Sequence, residues 1–115
     1  MINFWGSWCA PCRAEAAHLQ QVYSQTRSNG VRFLGVDVRD DRTSAQAFER
    51  TYSITYPSLF DPDSRVAVQF RQLPPSSIPA TIVIDRQDRV TALIARPVQT
   101  AELLRVVRAA LSGPA

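Results

Sequence analysis

The sequence predicts an α/β fold: a four-stranded mixed sheet, order 2-1-3-4, flanked by helices on both faces. Three observations carry that prediction. The apolar and helical periodicities run βαβα, then a short insert, then ββα. Strand–helix–strand connections cross right-handed, so the first two strands are parallel neighbours and the final hairpin adds antiparallel strands on the other side. The two cysteines, Cys9 and Cys12, stand at the first strand-to-helix junction. The 115 residues, 45% hydrophobic and 20% charged, suffice for one globular domain, 1–115.

Each element has a local reason. Residues 1–5 are a short buried strand (Ile2, Phe4, Trp5). From Cys9 to about residue 28 the chain reads as a helix, with Cys12, Ala16, Leu19 and Tyr23 on one buried stripe. Asn29-Gly30 ends it with residues that tolerate left-handed geometry. Residues 31–38, VRFLGVDV, are apolar enough for a strand covered on both faces. A polar turn at 40–42 leads to a second helix, opened by a capping box of Thr43 and Gln46 and running to about residue 51. Tyr56-Pro57 breaks that periodicity, and residues 58–60 form a short extended segment. Asp61-Pro62-Asp63-Ser64 is turn chemistry, Val66 and Phe70 mark a short helix, and 73–77 is a loop. Residues 80–85 and 89–95 are the third and fourth strands, joined by a tight connection at 86–88. Thr100 caps the last helix, whose apolar face is Leu103, Leu104, Val107, Ala110 and Leu111; Gly113-Pro114 ends it.

Charge narrows the function. The net charge is +3 with 13 basic residues, all arginine. They are scattered singly, without the basic clusters and interleaved aromatics of a nucleic-acid surface. No apolar run reaches the ~18 residues of a membrane span, and no signal peptide is visible. The chain opens directly on a hydrophobic strand, which reads as a fragment and leaves the compartment open.

The chemistry centres on Cys9-Ala10-Pro11-Cys12. At this spacing a disulfide ring can close and reopen. Cys9 falls at a helix N-terminus, where unpaired N–H groups and the macrodipole favour an anion. Such placement lowers a thiol pKa from about 8.5 to roughly 3.5–7.5, and thiolate is the reactive form. Pro11 suits the first helical turn, which does not need its N–H. A purely structural bridge is the bland alternative, although so short a loop contributes little closure entropy. Zinc wants four ligands, and the chain offers one histidine and no second cysteine pair. A peroxidatic cysteine is preceded three positions earlier by Thr or Ser; Gly6 stands there for Cys9, and Cys9 itself for Cys12. His18 reads as a solvated helix residue. Trp8 is either a cover over the site or a plain exposed aromatic.

The run Asn3-Phe4-Trp5-Gly6-Ser7-Trp8-Cys9-Ala10-Pro11-Cys12-Arg13-Ala14-Glu15 resembles the active-site segment of the TlpA/ResA-like thiol–disulfide oxidoreductases, within the thioredoxin superfamily. The likeness continues through Gly35-Val36-Asp37, Tyr56-Pro57-Ser58 and Ser77-Ile78-Pro79-Ala80-Thr81, and so covers nearly the whole chain. It implies a thioredoxin fold with Cys9 as the exposed nucleophile and Cys12 as the resolving thiol. Pro79 becomes a cis-proline facing the disulfide, and Ile78 offers its backbone to a substrate strand. Glu15 matches an acidic residue that modulates the thiols; its plain alternative is a solvated first-turn Glu. Trp8 and Pro11 flank the same site. Asn3 stands where cytoplasmic thioredoxins carry a buried Asp.

The resemblance further implies no cofactor beyond the cysteine pair. Its partners are disulfide- or dithiol-bearing proteins and an upstream membrane redox donor. The setting is bacterial and extracytoplasmic, with membrane contact only through an N-terminal anchor outside the chain. A non-catalytic binding module with a structural disulfide is the competing function on the same fold. Two departures stand out. Ala17 occupies a position where relatives often have a helix-kinking proline, and the usual N-terminal β-hairpin is missing. Without that hairpin the 31–38 strand has a bare edge, so a monomer prone to self-association is expected.

Overall fold

The structure, a computed structural model, describes residues 1–73 and 77–112. The middle of the expected 73–77 loop and the Gly113-Pro114 stop lie outside the described residues. In chain order the elements are β1 (Ile2–Trp5), α1 (Ala10–Thr26), a 3-10 turn (Arg27–Asn29), β2 (Leu34–Val38), α2 (Arg42–Thr51) and β3 (Ser58–Asp61). A second 3-10 turn (Ala67–Gln69), β4 (Ala80–Ile84), β5 (Val90–Ile94) and α3 (Thr100–Leu111) follow.

The sheet has five strands in the order β3-β2-β1-β4-β5. The βαβα-ββα frame is as expected, and the strand count is corrected from four to five. The difference is the 58–61 segment: it pairs in parallel with β2, from Gly35↔Ser58 to Val38↔Asp61. That pairing also covers the β2 edge expected to be bare. The edge strand is instead β3, four residues long, and short edge strands resist pairing with other chains. β1 is parallel to β2 and antiparallel to β4, and β4 pairs antiparallel with β5.

Because β1, β2 and β3 step the same way across the sheet, right-handed crossovers put α1 and α2 on one face. α3 joins them there: Leu19 and Val22 of α1 pack with Leu103 and Val107 of α3 over Val83 and Ile94. The opposite face, lined by Phe4, Val36, Val38, Ala80 and Ile82, is covered by Ala67 and its neighbours Val66, Phe70 and Leu73. Helices on both faces are therefore realised only as a 3-10 turn on the second face.

Two caps differ from expectation. The N-cap of α2 is Asp41, whose Oδ1 accepts from Ser44 N at 2.8 Å, rather than Thr43. Asp is at least as good a cap, and starting there adds helical residues at no cost in acceptors. α3 has Gln99 at its N-cap with no side-chain cap bond. Its first N–H, of Thr100, donates to His18 Nδ1 on α1 at 3.2 Å, so half-buried His18 acts as a cap from across the core.

Two glycines are required by geometry. Gly30 has φ +89° and closes the turn after α1. Gly35 lies under the Trp5 Nε1–Ser58 Oγ hydrogen bond of 2.9 Å; a Cβ there would sit 2.5 Å from Ser58 Oγ and 2.8 Å from Trp5 Nε1. Gly35→Ala is therefore expected to destabilise the protein by about 1–3 kcal/mol, the usual range for overpacking. Denaturant unfolding measures it, and a loss below ~0.5 kcal/mol would contradict the fit described here.

Candidate active site

β1 ends at Trp5, and the next four residues turn the chain into α1. Cys9 is the N-cap of that helix: its Sγ accepts from Cys12 N at 3.2 Å, and its own N–H donates to Gly6 O at 3.1 Å. Pro11 lies in the first turn, where no N–H is needed. Cys9 and Cys12 are joined as a disulfide with Cα atoms 5.2 Å apart. Both are buried, at 3% and 2% exposure, in a cluster with Trp5, Ala45, Phe48 and Ile78. Cys9 is thus not exposed in the disulfide form. Both sulfurs belong to that apolar cluster, and Trp8, Ala10 and Pro11 are the exposed residues of the motif.

The loop before Cys9 is held from the β2–α2 side. Trp8 Nε1 donates to Val38 O at 3.0 Å, and the Arg39 guanidinium lies 5.0 Å above the indole. The indole packs so tightly on Gly6 that no Cβ fits there. Trp8 remains 47% exposed, so it leans on β2. Ser7 donates through N and Oγ to the two oxygens of Asp40, at 2.8 and 2.6 Å. From α1, Arg13 Nη1 donates to Ser7 O at 3.2 Å.

On the β4 side the Ile78–Pro79 peptide is cis. Pro79 is buried, and Ile78 packs against the cluster containing both cysteines. An open groove of about 310 Å³ runs beside Ile78, lined by Val38, Val68, Phe70 and Leu73, with Arg39 and Arg71 at its margins.

One helical turn beyond Cys12, Glu15 is almost fully buried. Its Oε1 accepts from Asn3 Nδ2 at 2.9 Å and its Oε2 from Val98 N at 3.1 Å. Burial pushes its pKa up to about 7, against the pull of those two hydrogen bonds. Asn3 Nδ2 also reaches Thr81 Oγ1 (3.2 Å) and Ala80 O (3.4 Å) on β4. Glu49 of α2 is raised by burial, and the buried Tyr56 hydroxyl is raised by burial together with Glu15 and Glu49.

The geometry brings together Trp8, Cys9, Pro11, Cys12 and Ile78 at one end of the sheet, with Glu15 behind the pair. Sequence reasoning missed Asp37 and Asp40. Asp37 is buried in β2, where the apolar run hides a lone acid, and Asp40 falls in a stretch that reads as a polar turn. The signal that could have found them is the acid itself, since a buried strand seldom carries one unpaired. No group of His, Cys, Asp and Glu among the described residues could hold a metal ion. None of the described helices is long and apolar enough to cross a membrane.

This arrangement has close counterparts. The chain is 30% identical over 93 residues to the thiol–disulfide oxidoreductase ResA of Geobacillus kaustophilus, covering 81% of this chain and 52% of that protein. It is 29% identical to the thiol:disulfide interchange protein HelX of Rhodobacter capsulatus, covering all of this chain and 62% of HelX. The chain spans about half the length of the curated ResA relatives it matches. The crystal structure of a secreted thiol-disulfide isomerase from Corynebacterium glutamicum superposes with a TM-score of 0.91 at 37% identity, over 97% of this chain and 70% of that one. That superposition, the five-stranded sheet and the cysteine junction bear out the thioredoxin fold and the ResA-like resemblance. A sequence profile of the AhpC/TSA family matches residues 1–93, and the chain belongs to that family.

Proposed function

We propose that the chain is the thiol–disulfide exchange domain of a ResA/TlpA-type reductant acting on protein disulfides. The observation that carries this reading is the Cys9–Cys12 disulfide at the N-terminus of α1, packed against Ile78 beside the cis Pro79. In the reduced pair, Cys9 is the thiol that the helix N-terminus favours as thiolate. It attacks one sulfur of a substrate disulfide; an S–S bond forms to Cys9 and the substrate's other sulfur leaves as a thiolate, which takes a proton. Cys12 then gives up its proton and attacks Cys9 Sγ, the mixed disulfide breaks, and the second substrate thiol is released. Two electrons pass from the pair to the substrate, and Cys9–Cys12 is left oxidised. A dithiol donor returns the pair to the reduced form by the same steps in reverse.

Glu15 suits the role of proton partner to Cys12. A carboxyl with a pKa near 7 is half ionised at neutral pH and stands one helical turn from that thiol. Ile78 and Pro79 form the rail for an extended substrate segment, with the adjacent apolar groove taking a side chain. No cofactor beyond the pair enters these steps. We place the single domain outside the cytoplasm of a bacterium, membrane-anchored or secreted, as a monomer fed by a membrane redox donor. The similarity to a secreted thiol-disulfide isomerase of Corynebacterium glutamicum supports a setting outside the cytoplasm.

Cys9→Ser is expected to abolish reduction of insulin disulfides, and Cys12→Ser to accumulate mixed disulfides with the substrate; undiminished turnover by Cys9→Ser would overturn the reading. Glu15→Gln is expected to lower the apparent pKa of thiol alkylation by iodoacetamide by up to about one unit, because a nearby carboxylate disfavours a thiolate. The same variant has a signature in stability. Glu15 is held above its ordinary value, so its contribution is full below about pH 4.5 and is lost as pH rises through about 7. Melts of the oxidised protein should show the Glu15→Gln curve flatter across that window; an unchanged slope would remove Glu15 from the buried set.

A further inference from the structure

Asp37 is the residue among those described whose buried side-chain oxygens meet no donor. It is 2% exposed, opposite Trp5 in the β1–β2 ladder. Within its hydrogen-bonding reach lies another carboxyl, Asp40, on the loop to α2. Two carboxyls can hydrogen-bond only if one proton is present between them. Asp40 is already an acceptor several times over, from Ser7 N, Ser7 Oγ and Asp41 N at 2.8, 2.6 and 2.9 Å. Burial alone would raise Asp40, but the bond from Asp37 and then the Ser7 and Asp41 donors favour its ionised form and hold it below the usual carboxylate range. The proton therefore stays on Asp37, where burial opposes charge. Arg39 between them has φ 49°, a left-handed turn between the two acids.

We propose that Asp37 and Asp40 form a one-proton carboxyl pair, and that Asp40, oriented by the proton on Asp37, is the positioning residue for the 6–9 loop that presents Cys9. The inference rests on Cys9 being the reacting thiol, as proposed above. Asp40 touches no sulfur. It fixes both polar groups of Ser7, and the same turn carries the Cys9 N–H to Gly6 O bond.

The charges around Asp37 make the arrangement conditional on pH. Glu49 and Arg42 face it from α2, and Asp40 and Asp41 from the loop, while β1 and β3 contribute the uncharged Trp5, Ser58 and Phe60. Arg13 of α1 engages the far side of the loop at Ser7 O. Arg42 does not neutralise the pair: its guanidinium lies 4.4 Å over the Phe60 ring and forms no salt bridge among the described residues. Burial and the neighbouring Asp40, Glu49 and Asp41 push Asp37 up to about 9. Ionisation of Asp37 sets two like charges against each other, so Asp40 releases Asp37 and its grip on Ser7 changes.

The test uses the oxidised protein, so that no turnover is required. NMR follows the Asp37 carboxyl carbon and the Ser7 amide from pH 4 to 10. Asp37 is expected to titrate above pH 7 and the Ser7 amide to shift with the same midpoint. In Asp37→Asn the Ser7 amide should hold its low-pH position throughout, because a side-chain amide N–H donates to Asp40 as the acid does; in Asp37→Leu it should not. In the reduced protein, insulin turnover at pH 7 is expected to fall roughly ten- to a hundredfold in Asp37→Leu, the value of one charge-assisted hydrogen bond, and to recover in Asp37→Asn. An Asp37 carboxyl titrating below pH 6, a Ser7 amide that does not follow it, or an Asn variant as impaired as the Leu variant would each overturn the proposal. A wild-type protein inert toward insulin, with the linked titration intact, would count against the oxidoreductase reading and leave the carboxyl pair supported.

Discussion

The active end depends on β1 being hydrogen-bonded along both edges. Four residues long, it is parallel to β2 on one side and antiparallel to β4 on the other. A strand so short could not hold its direction alone; with two partners and Phe4 fully buried, its exit is fixed. That exit sets where α1 begins, so the N-terminal end of the helix and the sulfur that caps it fall beside the chain entering β4. Parallel pairing with β2 brings the β2–α2 loop to the same end, and antiparallel pairing with β4 brings Ile78 and Pro79. Three segments distant in sequence converge because one strand lies between them.

Two acids, Glu15 of α1 and Asp37 of β2, are buried where a core would ordinarily be apolar. Glu15 and Asp37 are comparably buried, yet they differ in a way that local hydrogen bonding explains. Glu15 is met by an amide side chain and a backbone N–H, which offset part of its desolvation and leave it near 7. Asp37 has a carboxylate for a neighbour and no donor, so it goes higher, to about 9. The first is therefore poised to exchange a proton near neutrality, and the second to keep one. One is suited to proton traffic and the other to structure.

Much of this was legible in the sequence where the information is local. The cysteine spacing, Pro11 in the first turn and the apolar stripe of α1 are short-range patterns, and each element they mark is present. Ser58–Asp61 was harder: four residues between Pro57 and Pro62 are too few to display alternation, and their strand character exists only through pairing with β2. The Thr43–Gln46 capping-box pattern misplaced the start of α2 because Asp41, two residues earlier, is an equally competent cap and its Oδ1 meets the Ser44 N–H. His18 gave no sign of its role, since the N–H it meets belongs to a residue 82 positions away. Asp37 was visible only as a letter in an apolar run; its lack of a donor is a property of everything packed around it.

Asn3 carries a consequence of its own. Its side-chain amide has two hydrogens and faces three acceptors: Glu15 on the cysteine helix, and Thr81 Oγ1 and Ala80 O on the strand that follows Pro79. Two donors cannot serve three acceptors equally, so the charge on Glu15 determines how they are shared. An ionised Glu15 draws one hydrogen strongly; a protonated Glu15 is a poorer acceptor and yields more of it to β4. The occupancy of one carboxyl is thereby registered by the backbone that leads out of the cis-proline, and a single amide lets the two walls of the cleft sense the same proton.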